Sequence, residues 1–398
     1  MKKTQTAAAE RPAGALGTDG KRQRWHLFKA ENGFDMVFFA LTMLLLVIGL
    51  VCLLSASHAY SFYKNDGDSY HYIKRQLIFA LIGVAAMVAV SFVDYHILHR
   101  FAFPLMLLSW GLLIAVLLTR PIANVHRWIV FGPIQFQPSE VAKFSLILLF
   151  AHLISINHKR MKTFLCGFLL FTGILGVTCG LVVIEPHLSG TMLLLGIGLV
   201  MMFVGGTRVL YLALSVLLGG GVAAYVIFVM GYEMERVEVW LDPFAVYTSG
   251  AAGKDIAWQT VQSLYAIGSG GLLGQGLGNS RQKHLFLPEP QNDFIFSIVC
   301  EELGFIGALL IILLFILLIW RGFSIGIKAP DKFGSMLAIG LTAQVGLQVL
   351  FNLAVITNAL PNTGISLPFF SYGGTSLLML LAQMGVILSI SRQTHRRT

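Results

Sequence analysis

Apolar runs close to twenty residues long recur along the chain, separated by polar breaks. About twenty apolar residues in helix cross the hydrocarbon of a bilayer. The pattern predicts ten spans, roughly 34–56, 76–93, 101–118, 139–156, 164–184, 188–204, 209–231, 293–320, 335–357 and 373–391. Nothing shows the ~10-residue alternation of a membrane barrel. The expected fold is therefore all-α and polytopic, with both termini on one side. Residues 1–33, rich in Ala, Gly and charge, read as a disordered tail; 34–391 form the transmembrane domain and 392–398 a second tail.

The breaks are unequal. The largest, about 232–292 between the seventh and eighth spans, is rich in Gly and Gln and has no long hydrophobic run. It reads as a long loop rather than a separate domain, and such loops in compact proteins are usually functional. A second loop, NALPNTGISLPFFSY at 358–372, carries no formal charge and is irregular because of its Pro and Gly. Irregular backbone near membrane depth is tolerated where it lines a cavity.

Composition narrows the class. The chain of 398 residues is 56% hydrophobic and 12% charged, with mean hydropathy +0.76, against about 25% charge in soluble domains. The net charge of +9 could suggest nucleic acid, but its placement argues for a membrane and against nucleic acid. With the N-terminus inside, 18 of the 28 Lys and Arg fall in inside segments, 9 outside and Lys143 within a span. That bias puts both termini in the cytoplasm and the large loop outside. The cysteines, Cys52, Cys166, Cys179 and Cys300, lie in or beside apolar runs without metal or disulfide spacing and read as small buried hydrophobes. No cleavable signal peptide is evident.

Scarce acids cluster at LPEPQNDFIFSIVCEELG, 287–304, directly before a highly apolar span. A helix is expected to begin at Asn292 or Asp293, placing Asp293, Ser297, Glu301 and Gly304 on one face and Glu302 opposite. Asp293 reads either as an N-cap, accepting backbone N–H bonds, or as a general base at the membrane surface. A committed cap has a low pKa and makes a poor base. Glu301 and Glu302 read as a structural pair or packing hydrogen bonds, or as groups tuning the site.

In HRWIVFGPIQFQPSEVAK, 126–143, Glu140 and Lys143 share a helix face at i, i+3 spacing. They either pin the helix or present Lys143 to an anion. Arg127 is a bidentate phosphate clamp or a surface charge. EPHLSGT, 185–191, places Glu185 and His187 at an interfacial turn. The glycine-rich GSGGLLGQGLGNS, 268–280, lacks nucleotide-loop spacing; it is a plain loop or one whose amides approach a pyrophosphate. The residues alone leave a lipid-linked glycosyltransferase, a flippase and a transporter open.

At these residues the chain resembles the SEDS family, which includes FtsW, RodA and SpoVE. The resemblance rests on HRWI…FGPIQFQPSEVAK, EPHLSGT, WLDPF (240–244), the long segment from Gln262 to Gly304 and LPNTGISLPFFSYGGTS, and covers nearly all the chain after the tail. The wording is more similar to the FtsW/SpoVE branch. Gln291 departs from a His carried by many FtsW proteins.

The resemblance implies a peptidoglycan glycan-chain polymerase acting on lipid II at the outer face of the bacterial cytoplasmic membrane, an inverting glycosyltransferase serving division or sporulation. It implies Asp293 as general base, with Arg127, Glu140 and Lys143 around the leaving pyrophosphate. Glu185, Gln262, Lys283, Glu289, Glu301 and Ser371 complete the expected substrate-binding or supporting set. It allows a divalent cation, Mg or Mn, with ligands unassigned, and no organic cofactor. The expected partners are a class B penicillin-binding protein and other divisome or sporulation proteins. A lipid II flippase or a non-catalytic division-site scaffold are the competing readings.

Overall fold

The computed structural model describes residues 33–119, 127–131, 134–185, 187–225 and 234–394. The chain enters through α1 (Met36–Lys64), which Asp35 caps by accepting from the Phe38 N–H at 3.0 Å. Then come α2 (His71–Phe92), a 3-10 turn (Tyr95–Ile97) and α3 (Leu98–Leu117). A short antiparallel hairpin, β1 (Ile129–Phe131) with β2 (Ile134–Phe136), leads into α4 (Pro138–Asn157). Pro138 in the first turn of α4 suits a helix start, where no backbone donor is needed. A π-turn (Leu165–Leu169) opens α5 (Leu170–Ile184), followed by α6 (Leu188–Gly205) and α7 (Val209–Ala224). Gly206, with φ 92°, ends α6 in the left-handed conformation that favours glycine. Three helices follow, α8 (Met234–Leu241), α9 (Pro243–Thr248) and α10 (Ala251–Ser269). The last three are α11 (Ile295–Ile327), α12 (Lys332–Ile356) and α13 (Gly374–Thr394).

Nine helices among the described residues are long and apolar enough to cross a membrane, so the expected all-α polytopic fold holds. The seventh expected span, 209–231, is only a shorter apolar helix, α7, and its last six residues, 226–231, lie outside the described residues. The expected N-terminal tail lies outside them too, apart from Gly33, and α13 runs to Thr394, beyond the boundary read at 391.

Burial sorts centre from rim. In α4, α12 and α13 some 72%, 67% and 67% of the apolar window is buried, against 28% in α2, α3, α5 and α11. The rim helices therefore turn most of their apolar surface outward, as bilayer contact requires. The central helix α12 packs against α4, α6 and α11, while α13 packs against α2. It also buries Thr342, Gln344, Gln348 and Asn352.

The 232–292 segment, read as a long loop between two spans, is partly helical. It contains three helices, and α10 buries Ala257, Val261, Gln262, Ser263 and Ala266. Ser263 exchanges a 2.7 Å bond with Ser297 of α11 and donates to the Ile356 carbonyl of α12 at 3.0 Å, joining three helices.

The glycine-rich stretch has a structural explanation. Gly304 sits at φ 66°, ψ −171° and breaks α11. A continuous helix would bond the N–H groups of Phe305 and Ile306 to the carbonyls of Glu301 and Glu302. Here the 270–276 backbone takes all four groups. Gly271 and Leu272 carbonyls accept from Phe305 and Ile306 at 2.9 and 3.1 Å. Gln275 and Gly276 N–H groups donate to Glu301 and Glu302 carbonyls, both at 3.0 Å. Backbone lies directly on backbone: a Cβ at Gly270 would stand 2.0 Å from the Cys300 oxygen, and one at Gly274 2.2 Å from the Glu302 oxygen. The four backbone groups that the break frees are all satisfied, as a weakly hydrated site demands.

Candidate functional site

Long-range bonds gather the α1–α2 turn, the hairpin, the 234–294 segment and the α12–α13 loop at one end of the bundle. Thr375 donates to the Gln135 carbonyl at 2.9 Å, fixing the hairpin against α13. Gln76 of α2 bonds both the Ser371 carbonyl (3.3 Å) and the Gly373 N–H (3.1 Å).

Asp293 lies at this end, but it does not cap α11. The helix begins at Ile295 with Phe294 at the cap position and no side-chain capping bond. The one-face arrangement expected for Asp293 and Glu301 fails with it, because Asp293 stands outside the helix. What holds Asp293 is its backbone. Three successive carbonyls accept bonds: Gln291 from the Tyr372 N–H (2.8 Å), Asn292 from the Ser371 hydroxyl (2.9 Å) and Asp293 from the Asn352 amide (2.7 Å). The same Asn352 amide also donates to Ile365 at 2.6 Å. The carboxylate is left half-buried, with no hydrogen bond among the described residues. It faces Gly364, where an added Cβ would stand 3.0 Å from Asp293 Oδ2 and where φ is +72°. A glycine is thus required on both steric and backbone grounds.

Burial and the neighbouring Glu289 carboxylate push Asp293 up to about 6, with Arg127 and Arg236 pulling the other way. Glu289 is an exposed turn residue at φ 44°, and its carboxylate accepts from the Asn292 amide at 2.8 Å. Arg236 on α8 donates to the Asn362 carbonyl at 3.0 Å.

A second carboxylate of this kind is Glu185, at the end of α5. It is fully buried, and neither oxygen has a hydrogen-bond partner among the described residues. Burial raises it to about 8 despite the pull of Arg127. Arg127, just before β1, therefore acts electrostatically on both Asp293 and Glu185. His187, buried nearby, is held down at about 3 by burial and by the Arg127 and Lys143 charges. Lys143 Nζ pairs with Glu140 at 2.7 Å, and both are largely buried in the first turns of α4, as the i, i+3 spacing predicts.

The remaining candidates take other places. Lys283 is directed to Glu302 (2.8 Å) and Ser55 (3.1 Å), a buried structural pair rather than part of the Asp293 set. Glu301 accepts from the Ser280 hydroxyl (2.5 Å) and the Arg281 and Gln282 N–H groups (3.0 and 3.3 Å), pinning the loop to α11. Gln262 is buried on α10. Ser371 has its hydroxyl engaged by the Leu367 N–H at 2.7 Å and the Asn292 carbonyl, so it positions the Asp293 backbone. It also lines a narrow cleft with Glu140, Gln344, Gln348 and Ser376. The sequence reading missed Arg236 and Asn352. A polar residue inside an apolar span, as Asn352 is in FNLAVI, was the available signal.

No three His, Cys, Asp or Glu side chains among the described residues come together as a metal ligand set. The described side chains do not by themselves form a divalent-cation site.

Comparison with known proteins matches this architecture. The family model described as cell cycle protein, grouping FtsW, RodA and SpoVE, matches residues 35–396. Stage V sporulation protein E of Bacillus subtilis is 40% identical over 364 residues, 91% of this chain and 98% of that protein. The probable peptidoglycan glycosyltransferase FtsW of Geobacter sp. strain M18 is 37% identical, covering 90% and 97%. Among solved structures, a chain from a study of a peptidoglycan synthase complex that coordinates polymerization and crosslinking has a TM-score of 0.74 at 26% identity, covering 91% and 99%. The rod shape determining protein RodA of Thermus thermophilus has a TM-score of 0.66 at 27% identity, covering 91% and 98%. With matches of this extent, the chain belongs to the FtsW/RodA/SpoVE (SEDS) family of multi-pass membrane proteins.

Proposed function

We propose that this chain is a peptidoglycan glycosyltransferase that polymerises lipid II, with Asp293 as general base. The observation that carries the reading is the Asp293 carboxylate itself: backbone locked by three bonds, side chain unpartnered among the described residues, and pKa raised to about 6. A group with that pKa is about 90% ionised at pH 7 and still accepts a proton readily. The 4-hydroxyl of the acceptor sugar gives its proton to Asp293 as its oxygen attacks the anomeric carbon of the donor. The bond from that carbon to the phosphate oxygen breaks, and its electron pair leaves with undecaprenyl pyrophosphate. One displacement converts an α-linked donor into a β-1,4 link.

Charge develops on the leaving pyrophosphate, and fixed cations stabilise it. Arg127 serves this role beside Asp293, and Lys143 can exchange its Glu140 partner for a phosphate oxygen. Glu185, neutral at pH 7 by its raised pKa, can donate a hydrogen bond without repelling the anion. The excess of Lys and Arg in the opposite loops supports an outward-facing site. The synthase-complex relative supports a crosslinking partner, read here as a class B penicillin-binding protein.

Glycan polymerisation from purified lipid II in proteoliposomes, with the partner present, tests the reading. Asp293→Asn should keep the fold and lose activity by about 10²–10⁴. Wild-type turnover in that variant would overturn the assignment. Lipid II flipping without polymerisation by the wild type would favour a flippase.

A further inference from the structure

The first half of α10 and Pro288 border an open trough of about 650 Å³, lined by Lys254, Asp255, Trp258 and Gln259 on the helix side. That volume falls within the ~300–1,000 Å³ range of small-molecule sites. Its aromatic wall is fixed. The Trp258 indole N–H donates to the Phe286 carbonyl at 2.5 Å, and the Tyr247 ring lies 5.9 Å away, tilted by 33°. Lys254 Nζ stands 5.2 Å from the Trp258 ring and 5.7 Å from the Tyr247 ring.

The trough borders the Asp293 neighbourhood. Gln259 Oε1 accepts from the Asn362 amide at 3.2 Å, and the Asn362 carbonyl accepts from Arg236. Two residues further on, a Cβ on Gly364 would stand 3.0 Å from the Asp293 carboxylate. On the other wall, Pro288 directly precedes Glu289, whose charge acts on Asp293.

The lining selects a ligand class. One Lys and one Asp leave no net charge, unlike an anion site, which gathers cations. An indole with an ammonium over one face, a carboxylate and a primary amide beside it, and the small apolar surface of Ala251 and Ile256 suit an uncharged, hydroxyl-rich ring. Sugar C–H faces carry partial positive charge and stack on the negative face of an aromatic ring. Carboxylate and amide groups accept and donate at the sugar's hydroxyl and N-acetyl groups. We propose that this trough binds the β-1,4-linked N-acetylhexosamine backbone of a glycan strand next to the reaction centre. The proposal rests on the polymerase reading for its biological meaning, but its test does not use turnover.

The experiment titrates a soluble β-1,4-linked N-acetylglucosamine tetrasaccharide, free of lipid, phosphate and peptide, into the full chain in nanodiscs by calorimetry. The wild type should bind it. Trp258→Ala should weaken binding about tenfold, Trp258→Phe should weaken it less, and Asp255→Ala should weaken it several-fold. A well-folded Asp255→Ala keeps the test decisive if Trp258→Ala does not fold. Absence of binding to the wild type, or equal binding by Asp255→Ala and both Trp258 variants, would overturn the proposal. So would quenching of the Trp258 fluorescence by brominated acyl chains that the tetrasaccharide leaves unchanged, since Trp258 would then be an anchor in the lipid surface. Retained polymerisation by Asp293→Asn would overturn the general-base reading and leave the binding result standing.

Discussion

At one end of the bundle Asp94 and Asp331 are saturated with donors; at the other, Asp293 and Glu185 have none among the described residues. Asp94 accepts from the His96 ring (2.7 Å), the His96 N–H (3.1 Å) and Gln393 (3.0 Å). Asp331 takes the Tyr95 hydroxyl and the Gly334 N–H (3.0 Å). Burial raises both, but these bonds outweigh it and hold each at about 2. The same burial acts on Asp293 and Glu185 without such donors, and they rise to about 6 and about 8. Glu301 and Glu302 are also saturated with donors: their oxygens are taken by Ser280, Lys283, Ser55 and loop N–H groups. Basicity is thus suppressed at Asp94 and Asp331, where donors tie the carboxylates down, and retained at Asp293, which stands ready to take a proton.

The contrast can be broken by substitution. Beyond the loss already expected for Asp293→Asn, Arg127→Ala should reduce polymerisation by about 10²–10³, the usual cost of one charge-stabilising donor. Its thermal unfolding should stay close to wild type, so a large fall in Tm would move Arg127 to the structural group. Glu302→Gln should do the reverse. It strands Lys283, whose pair is 6% and 2% exposed, and should destabilise by roughly 3–5 kcal/mol. Glu302→Gln with Lys283→Met should recover most of that in thermal melts.

Asp94→Asn is the smaller structural test. A folded pKa of about 2 against an ordinary ~3.9 is worth about 2 kcal/mol. For a depressed carboxylate this stability is present above pH ~4 and lost as pH falls toward ~2. The melting difference between wild type and variant should therefore close in acid, and a gap that persists there would break the comparison.

The spans were readable because each must be apolar over ~20 residues whatever its neighbours do. The pairing of Glu140 with Lys143 was readable because it is local to one helix. Asp293 was not settled by pattern: the sequence offered a cap or a base, and the family resemblance chose the base. The structure removes the cap by starting α11 at Ile295. What stayed hidden was long-range. The break at Gly304 needs the 270–276 backbone beside it, and Lys283 finds Glu302 only through that docking. Ser371 and Asn352 act on backbone carbonyls 79 and 59 residues away, which no spacing reveals.

The central claim is that Asp293 takes the acceptor proton, and the pH dependence of initial polymerisation in proteoliposomes tests it most directly. The account predicts an acid limb with a midpoint near pH 6, activity falling about tenfold per pH unit below it as Asp293 protonates. Activity unchanged from pH 7 down to pH 5, or an acid limb with the same midpoint in the residual activity of Asp293→Asn, would contradict it.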